Sequence, residues 1–457
     1  MSADDESVSP ELPERGRLSF DLDVDICIVG AGLAGLTVAR EAARVGASVA
    51  VLEGRQVGWN ASGHQLGTVM PGYGLALGDL IERVGLEDAR ELWSLSKTGA
   101  DYVRATATEA LIPGISLSEG ALEVSNVDAG ERLIARLQML NEDFETEAVG
   151  LQTEQVRKAL KTGRYFHGIY YPHAFQIDGR KYVHGLASLA RRAGARIFEN
   201  TPVVGIDFSG IRKRIATPSA RLRASHIVLA GNVHLGQPMR RLTDTLLPVW
   251  RYAAITAPLG ERLSEIIAFR GSVMDTDGID HFRIVDGDRL VWSSPETTWA
   301  GRPDRYRRAI QRRIGAIFPD LRNVPLQDVW CGAVGQTVHG MPEIGELRRG
   351  LWVASGFGRQ GLATSAMAGQ LVARGILRGE ERWRVFSPFE LVWAGGVVGR
   401  ATAFPEPDGM TGRAAMEGAL ARRREKARAE EQIRRERRTR ASRQSGARPA
   451  PPSSSRH

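Results

Sequence analysis

The sequence predicts an α/β protein in which a discontinuous, doubly wound domain is assembled from separated stretches of chain and carries an inserted α+β domain containing an antiparallel sheet. Three observations lead there. A β-α-β unit with a glycine-rich turn occupies residues 25–53, and strands of alternating or mixed character between Trp250 and Ser294 break with that layering. From Gln327 the chain then returns to buried-strand patterning and a glycine loop that opens a helix. At 457 residues the chain is too long for one core, so two or three folding units follow.

Residues 1–23, rich in Asp, Glu, Ser and Pro, read as a solvated arm. DICIVG is an apolar strand, LAGLTVAREAARVG an amphipathic helix closed by Gly46, and SVAVLE a second apolar strand. Residues 76–145 are mostly helical with charged faces, apart from the strand-like ALEVS at 121–125. KYVHGLASLARRAGARIFENTPVVGIDF gives a helix, a turn at Gly194 and a strand, and RASHIVLAGN a further apolar strand. RYAAITA, HFRIV and RLVWSS are strands, the last two joined through Asp286, Gly287 and Asp288. LWVASG, a glycine loop and SAMAGQLVARGIL follow. On this reading 24–75, 150–238 and 326–400 form the dinucleotide-type domain, and 76–149 and 239–325 the inserted substrate domain. Residues 401–457 form a basic tail, helical over ALARRREKARAEEQIRRERRTR through Glu and Arg at i, i+4 and then disordered.

Composition excludes several classes. Hydrophobic residues make up 42% and charged residues 25%, which is ordinary for a globular chain. The net charge of +8 resembles a nucleic-acid signal until it is located. Fourteen Arg or Lys face five Glu from Arg413 onward, an excess of nine, so the first 412 residues carry about −1. A charge run of this kind is ordinarily solvated, and no specific nucleic-acid site is expected. Cys27 and Cys331 lack CxxC spacing, so neither a disulfide framework nor a metal site is expected. MSADDESVSPELPERG is unlike a signal peptide, and no run approaches the roughly 18 apolar residues of a membrane span, which makes a cytoplasmic location the expectation.

Gly30, Gly32 and Gly35 form GxGxxG between strand and helix, the Rossmann-type context in which the motif has mechanical meaning. The first glycine permits the tight turn, the second lets backbone approach a pyrophosphate, and the third lets helix and strand pack closely. The pyrophosphate then meets the helix N-terminus around Leu33 and Ala34. Glu53, 23 residues after Gly30, stands where a carboxylate accepts from an adenosine ribose, followed by Gly54. The fingerprint alone serves FAD or NAD. A second GxGxxG at Gly356, Gly358 and Gly361, followed by Leu362, has no second apolar strand leading to an acid, so its N–H groups suit the pyrimidine edge of a flavin better than another dinucleotide.

Taken together, VDICIVGAGLAGL with Glu53, NASGHQLGTVMPGYG at 60–74, SHIVLAGN at 225–232, WCGAVGQTVHGMPEIGEL followed by GLWVASGFGRQGLATSAMAGQLVA, and the later SPFELVWAGGVVGR make the chain resemble the D-amino-acid oxidase superfamily over about residues 24–400. The resemblance is nearest to the branch of gamma-glutamylputrescine oxidase and glycine oxidase. It implies FAD as cofactor, with residues 54–67 around the pyrophosphate and isoalloxazine and Arg55, Ser62 and Gly63 in contact with it. The sequence departs from relatives in reading His64, Gln65 and Leu66 where Arg-Asn-Gly is common. His64 so near the flavin opens covalent attachment beside an ordinary hydrogen bond. Val203 and Val204, and Ala230 and Gly231, complete the candidate cofactor contacts.

The resemblance further implies oxidation of a C–N bond of a small-molecule amine or amino acid to an imine that water hydrolyses. Candidate substrate residues are Tyr252, His281 and Arg283 in the inserted sheet and Trp330 and His339 before the last glycine loop, with Arg251 or Arg283 suited to pairing a carboxylate. No lysine lies between Lys213 and Lys426, which leaves Lys181 or an arginine to meet oxygen and leaves the acceptor as oxygen, a quinone or another protein. Two alternatives stand beside this reading: oxidation of a hydroxy acid, and binding of nucleic acid or a membrane surface through the Arg-rich tail.

Overall fold

Short strands that are apolar on both faces need a layer on each side, and the first sheet meets that need. In the computed structural model, which describes residues 16–108, 112–276 and 278–403, its strands run in the order Glu343–Arg348, Leu351–Ser355, Arg221–Leu229, Leu22–Val29, Val49–Leu52, Arg196–Phe198. Along this path all pair in parallel except the first, which is antiparallel to Leu351–Ser355, and beside it Lys213–Ala216 and Gly205–Asp207 add an antiparallel pair at the start of Arg221–Leu229. Side chains alternate between two cores. Ile26, Ile28, Val49 and Val51 pack with the helix Leu33–Arg44 on one side, while Val24, Cys27, Ala50 and Leu52 pack with Leu222, Ile227 and Leu229 on the other. Because the strands are parallel, Gly30, Glu53, Ala230 and Gly356 all leave the same carboxyl edge, where an open α/β sheet forms its ligand crevice.

The second sheet runs Leu326–Thr337, Leu246–Thr256, Arg289–Thr297, His281–Val285, Ser272–Asp275, Ser118–Val124, Gly168–Gln176, Thr68–Val69, and is antiparallel except where Ser272–Asp275 meets Ser118–Val124. The expected hairpin forms with Asp286 at φ 52° and Gly287 at φ 82°, the double positive φ of a tight hairpin turn.

Three stretches assigned to the dinucleotide-type domain form strands of this sheet instead: Thr68–Val69, Gly168–Gln176 and Leu326–Thr337. An apolar run fixes a strand and says nothing about its partner, and both sheets bury both faces here. Residues up to Arg400 accordingly form one unit. The arm also ends earlier than expected: Leu18 is fully buried and its N–H donates to Thr201 Oγ1. Residues 1–15 and the tail from 404 lie outside the described residues. Among the described residues no helix is long and apolar enough to cross a membrane.

Candidate active site

At Gly30 the chain turns with φ 108°, and a Cβ there would stand 2.8 Å from the Ala230 carbonyl oxygen and 2.9 Å from Gly231 N. Gly35 is closed differently, since its Cβ would fall 2.2 Å from the Gly30 carbonyl oxygen. The two glycines thus bring the helix Leu33–Arg44 against the strand, with its N-terminus open to the crevice. Ser62 Oγ accepts from Leu33 N at 3.2 Å and ties the loop after Glu53 to that helix start. Glu53 is buried. Its two oxygens accept from Ala31 N at 2.9 Å and Arg55 N at 2.8 Å. Burial pushes its pKa up and these N–H groups pull it down.

Residues 58–67 are pinned to the second sheet. Asn60 Oδ1 accepts from Ala333 N and its Nδ2 donates to Ala333 O, both at 2.9 Å. Trp330 Nε1 donates to the His64 carbonyl at 3.0 Å. Arg55 lies over the Trp59 ring at 4.4 Å, and Trp59 packs on His234 at 4.9 Å. One cavity of about 490 Å³ runs along this seam. It is lined at one end by Gly30, Gly32, Leu33, Ala34, Glu53, Gly54 and Arg55 and at the other by Thr68, Arg251, His281, Ser293 and Arg359. Its size suits an organic ligand or cofactor.

The charged end is built by strand register. Arg251 and Glu296 are cross-strand partners in the pair Leu246–Thr256 with Arg289–Thr297. Glu296 holds Arg251 Nε at 2.7 Å and, from the glycine loop, Arg359 at 2.9 Å, with its own side chain 8% exposed. His281 Nε2 lies 2.8 Å from Thr68 Oγ1 and 2.9 Å from Ser272 Oγ. Desolvation first, and then Arg251, Arg283 and Arg359, hold its pKa well below the usual histidine range, so the imidazole is neutral at pH 7.

Of the expected cofactor residues, Ser62, His64, Val203, Ala230, Gly231, Gly358, Gly361 and Leu362 also line this cavity. Val204 is exposed, with its N–H bonded to Ala216 O. Gly63 packs against Gly58, where a Cβ would meet a carbonyl oxygen at 2.2 Å. His64 Nδ1 lies 2.9 Å from the Asn60 carbonyl, an ordinary local hydrogen bond.

Of the expected substrate residues His281 and Arg251 line the cavity, and Tyr252, Arg283, Trp330 and His339 do not. Tyr252 sits between Arg251 and Ala253, so strand alternation sends it to the opposite face. There it stacks on Tyr306 at 3.6 Å and accepts from Gly301 N. Arg283 shares the face of His281 but reaches toward Gly67, and burial lowers its pKa. Trp330 braces the loop from behind, and His339 is buried beside Phe389 with Nδ1 accepting from Met341 N. Lys181 donates to Gly114 O, so the lining cations are Arg55, Arg251 and Arg359. Asn60, Glu296 and Arg359 escaped the sequence reading, because only strand pairing and the fold of the glycine loop reveal their partners.

Gly356 does not line the cavity either, and packs on Thr337 and Leu246. Behind it Glu343, only 3% exposed, has Oε1 2.5 Å from Thr245 Oγ1, while that hydroxyl also reaches Leu242 O at 2.7 Å. One hydroxyl hydrogen cannot serve both oxygens. A protonated Glu343 resolves the conflict by donating to Thr245, which donates onward to Leu242 O. Burial accordingly pushes the Glu343 pKa up to about 7. A raised carboxyl pKa contributes stability fully present below the unfolded value and lost as pH rises through the folded one. Stability is therefore expected to fall by about 3 kcal/mol between pH 4.5 and about 7 from this group. Glu343→Gln should flatten that fall, read from urea midpoints at about pH 5 and about pH 8.

The comparisons with known proteins agree with this architecture. A family model described as "FAD dependent oxidoreductase", DAO, matches residues 25–374. A probable oxidoreductase OrdL of Haemophilus influenzae is 26% identical over 384 residues, covering 82% of this chain and 88% of the relative. Gamma-glutamylputrescine oxidoreductase of Escherichia coli is 26% identical, covering 81% of this chain and 87% of its own length. Among solved structures, glycine oxidase from Geobacillus kaustophilus superimposes with a TM-score of 0.67 at 22% identity, covering 81% of this chain and 98% of that one, which supports the fold. With the family model spanning the glycine turn, the second sheet and the last glycine loop together, the chain belongs to the DAO family of FAD-dependent oxidoreductases.

Proposed function

We propose that this flavoenzyme oxidises the C–N bond of an amine or amino acid, with electrons passing to oxygen or another acceptor. The observation that carries the reading is that the glycine turn and the Arg251–Glu296–Arg359 and His281 group open into a single cavity. The residues fit FAD: glycines without room for a Cβ, a helix start and an anchored carboxylate lie where a dinucleotide needs them. Gly30 to Ala34 and Ser62 would hold the pyrophosphate and Glu53 the ribose, with Val203, Ala230 and Gly231 beside the nucleotide. The start of the helix Gly361–Arg378 would face the ring end. Bound flavin supplies a two-electron acceptor that takes the hydride equivalent from the carbon next to nitrogen, after which water hydrolyses the imine.

The chain's own residues orient the substrate and exclude water. Neutral His281, fixed by Thr68 and Ser272, is a hydrogen-bond partner without charge, so it leaves a cationic amine unrepelled. Arg251 and Arg359 share one carboxylate and retain one unit of positive charge between them, and Arg283 stands two residues beyond His281. These cations suit a substrate that also carries an anionic group. The gamma-glutamylputrescine and glycine relatives are named for substrates of that mixed charge.

The test is anaerobic addition of a panel of amines, amino acids and hydroxy acids to the purified protein while the visible flavin spectrum is recorded. Bleaching by an amine or amino acid is expected. Bleaching by hydroxy acids alone would overturn the reading.

A further inference from the structure

Most exposed large apolar side chains on the described surface stand singly, as they do on any protein. One group departs from this. Leu391, Trp393, Val397 and Val398 are 46%, 65%, 69% and 65% exposed within eight residues of chain, and Trp299 joins them at 45%. Trp299 and Trp393 are the exposed tryptophans among the described residues. The segments that carry them are tied together in space at the helix Gly396–Ala403. A Cβ on Gly396 would lie 3.6 Å from the Trp393 ring, the Arg400 guanidinium stands 6.0 Å from the Trp299 ring centre, and Thr298 Oγ1 donates to Arg400 O at 2.8 Å. Side chains of this size, left in water at one place, mark a surface that meets something apolar. Trp and Arg together, each with an apolar body and a polar tip, suit the boundary between hydrocarbon and water.

The sequence that follows sets the sign of the partner. From Arg413 onward fourteen basic residues face five acidic ones. Charge alone gives weak, salt-sensitive attraction and a small apolar patch alone gives marginal binding, whereas the pair meets the two-signal requirement for stable membrane association. A second copy of this chain is disfavoured as occupant, because it would bring another excess of nine positive charges.

We infer that the surface formed by Trp299, Leu391, Trp393, Val397 and Val398 docks the enzyme on an anionic lipid bilayer, with the Arg-rich sequence beyond it supplying the counter-charge to the headgroups.

The test uses the full-length holoenzyme in co-sedimentation with phosphatidylcholine vesicles, with and without about 30% phosphatidylserine. Pelleting is expected with the anionic vesicles and not the neutral ones, and is expected to weaken steeply as salt rises from about 0.05 to about 0.5 M. The triple substitution Trp393→Ser, Val397→Ser, Val398→Ser should lower vesicle binding at least tenfold while turnover of soluble substrate is unchanged. Arg434→Gln with Arg435→Gln, Arg437→Gln and Arg438→Gln should do the same. Should the triple variant fail to retain flavin, quenching of native tryptophan fluorescence by bromine-labelled anionic lipid gives an independent readout, relieved in Trp393→Phe. Unchanged vesicle binding in the patch variant, no binding by the natural chain, or patch-dependent dimers in sedimentation velocity would each overturn the inference. Equal binding to single-stranded RNA that is insensitive to the patch would do so as well.

Discussion

Gly30→Ala is expected to yield a protein that folds poorly and retains little FAD, with occupancy lowered at least tenfold. Two costs fall on the same atom. At φ 108° an added Cβ enters a backbone region that L-residues disfavour by about 1–2 kcal/mol. That Cβ would also stand within 2.8–2.9 Å of Ala230 O, Ala230 C and Gly231 N, which are backbone and cannot rotate away, so overpacking adds about 1–3 kcal/mol. Relief must come from moving Ala230 and Gly231, and both line the cofactor cavity. Structural and binding losses therefore share one cause. Gly78→Ala is the control: it lies in the helix Leu77–Val84 with nothing within 4 Å of its added Cβ, and should be neutral or slightly stabilising. The flavin-to-protein absorbance ratio after gel filtration, with thermal melts of both variants, checks the contrast; a Gly30→Ala protein with full flavin content would refute it.

What the sequence conveyed and what it withheld divide along the line between local and non-local interactions. The turn at Gly30, the carboxylate at Glu53 and the hairpin at Asp286 and Gly287 are written in residues close along the chain, where steric and hydrogen-bond rules act locally. Sheet membership is not. Leu326–Thr337 lies beside Leu246–Thr256, about eighty residues away, and its apolar pattern would serve either sheet. The same limit governed the substrate end. Tyr252 is an aromatic on a strand-like segment, but which face of that strand meets the cavity depends on register, and register puts Arg251 and Ala253 there instead. Trp330 and His339 lie within the range that the family model matches, and both prove to brace the loop and core around the cavity. Glu296 carried no motif at all, and its meaning comes from two arginines, one 45 residues earlier in the chain and the other 63 residues later.

Glu296→Ala is expected to cost more than the loss of either arginine it holds, and this ordering tests how the charged end of the cavity works. In the intact site one carboxylate is shared by Arg251 and Arg359, with side chains 17% and 28% exposed, and the neutral His281 nearby adds no charge. Removing Arg359 leaves Glu296 paired with Arg251 and the pair neutral. Removing Glu296 strips both partly buried guanidinium groups of the carboxylate they share. Stripping one partner from a buried ion pair costs about 3–5 kcal/mol, and the partial exposure of Arg359 places the expected loss near the lower end, about 3 kcal/mol. The consequence for turnover is larger than for stability, because Arg359 belongs to the loop whose neighbours Gly358, Gly361 and Leu362 line the cavity. With its anchor gone that loop should loosen and kcat/KM fall at least a hundredfold, about 2.7 kcal/mol of lost transition-state stabilisation. Glu296→Gln, which keeps the shape and one acceptor oxygen, should fall between. A second readout follows from charge: with net positive charge at this end of the cavity raised by one, KM for cationic amines should rise more than KM for anionic substrates. A double-mutant cycle over Glu296 and Arg359 decides the matter, since a coupling energy near zero would mean that the bridge orders nothing.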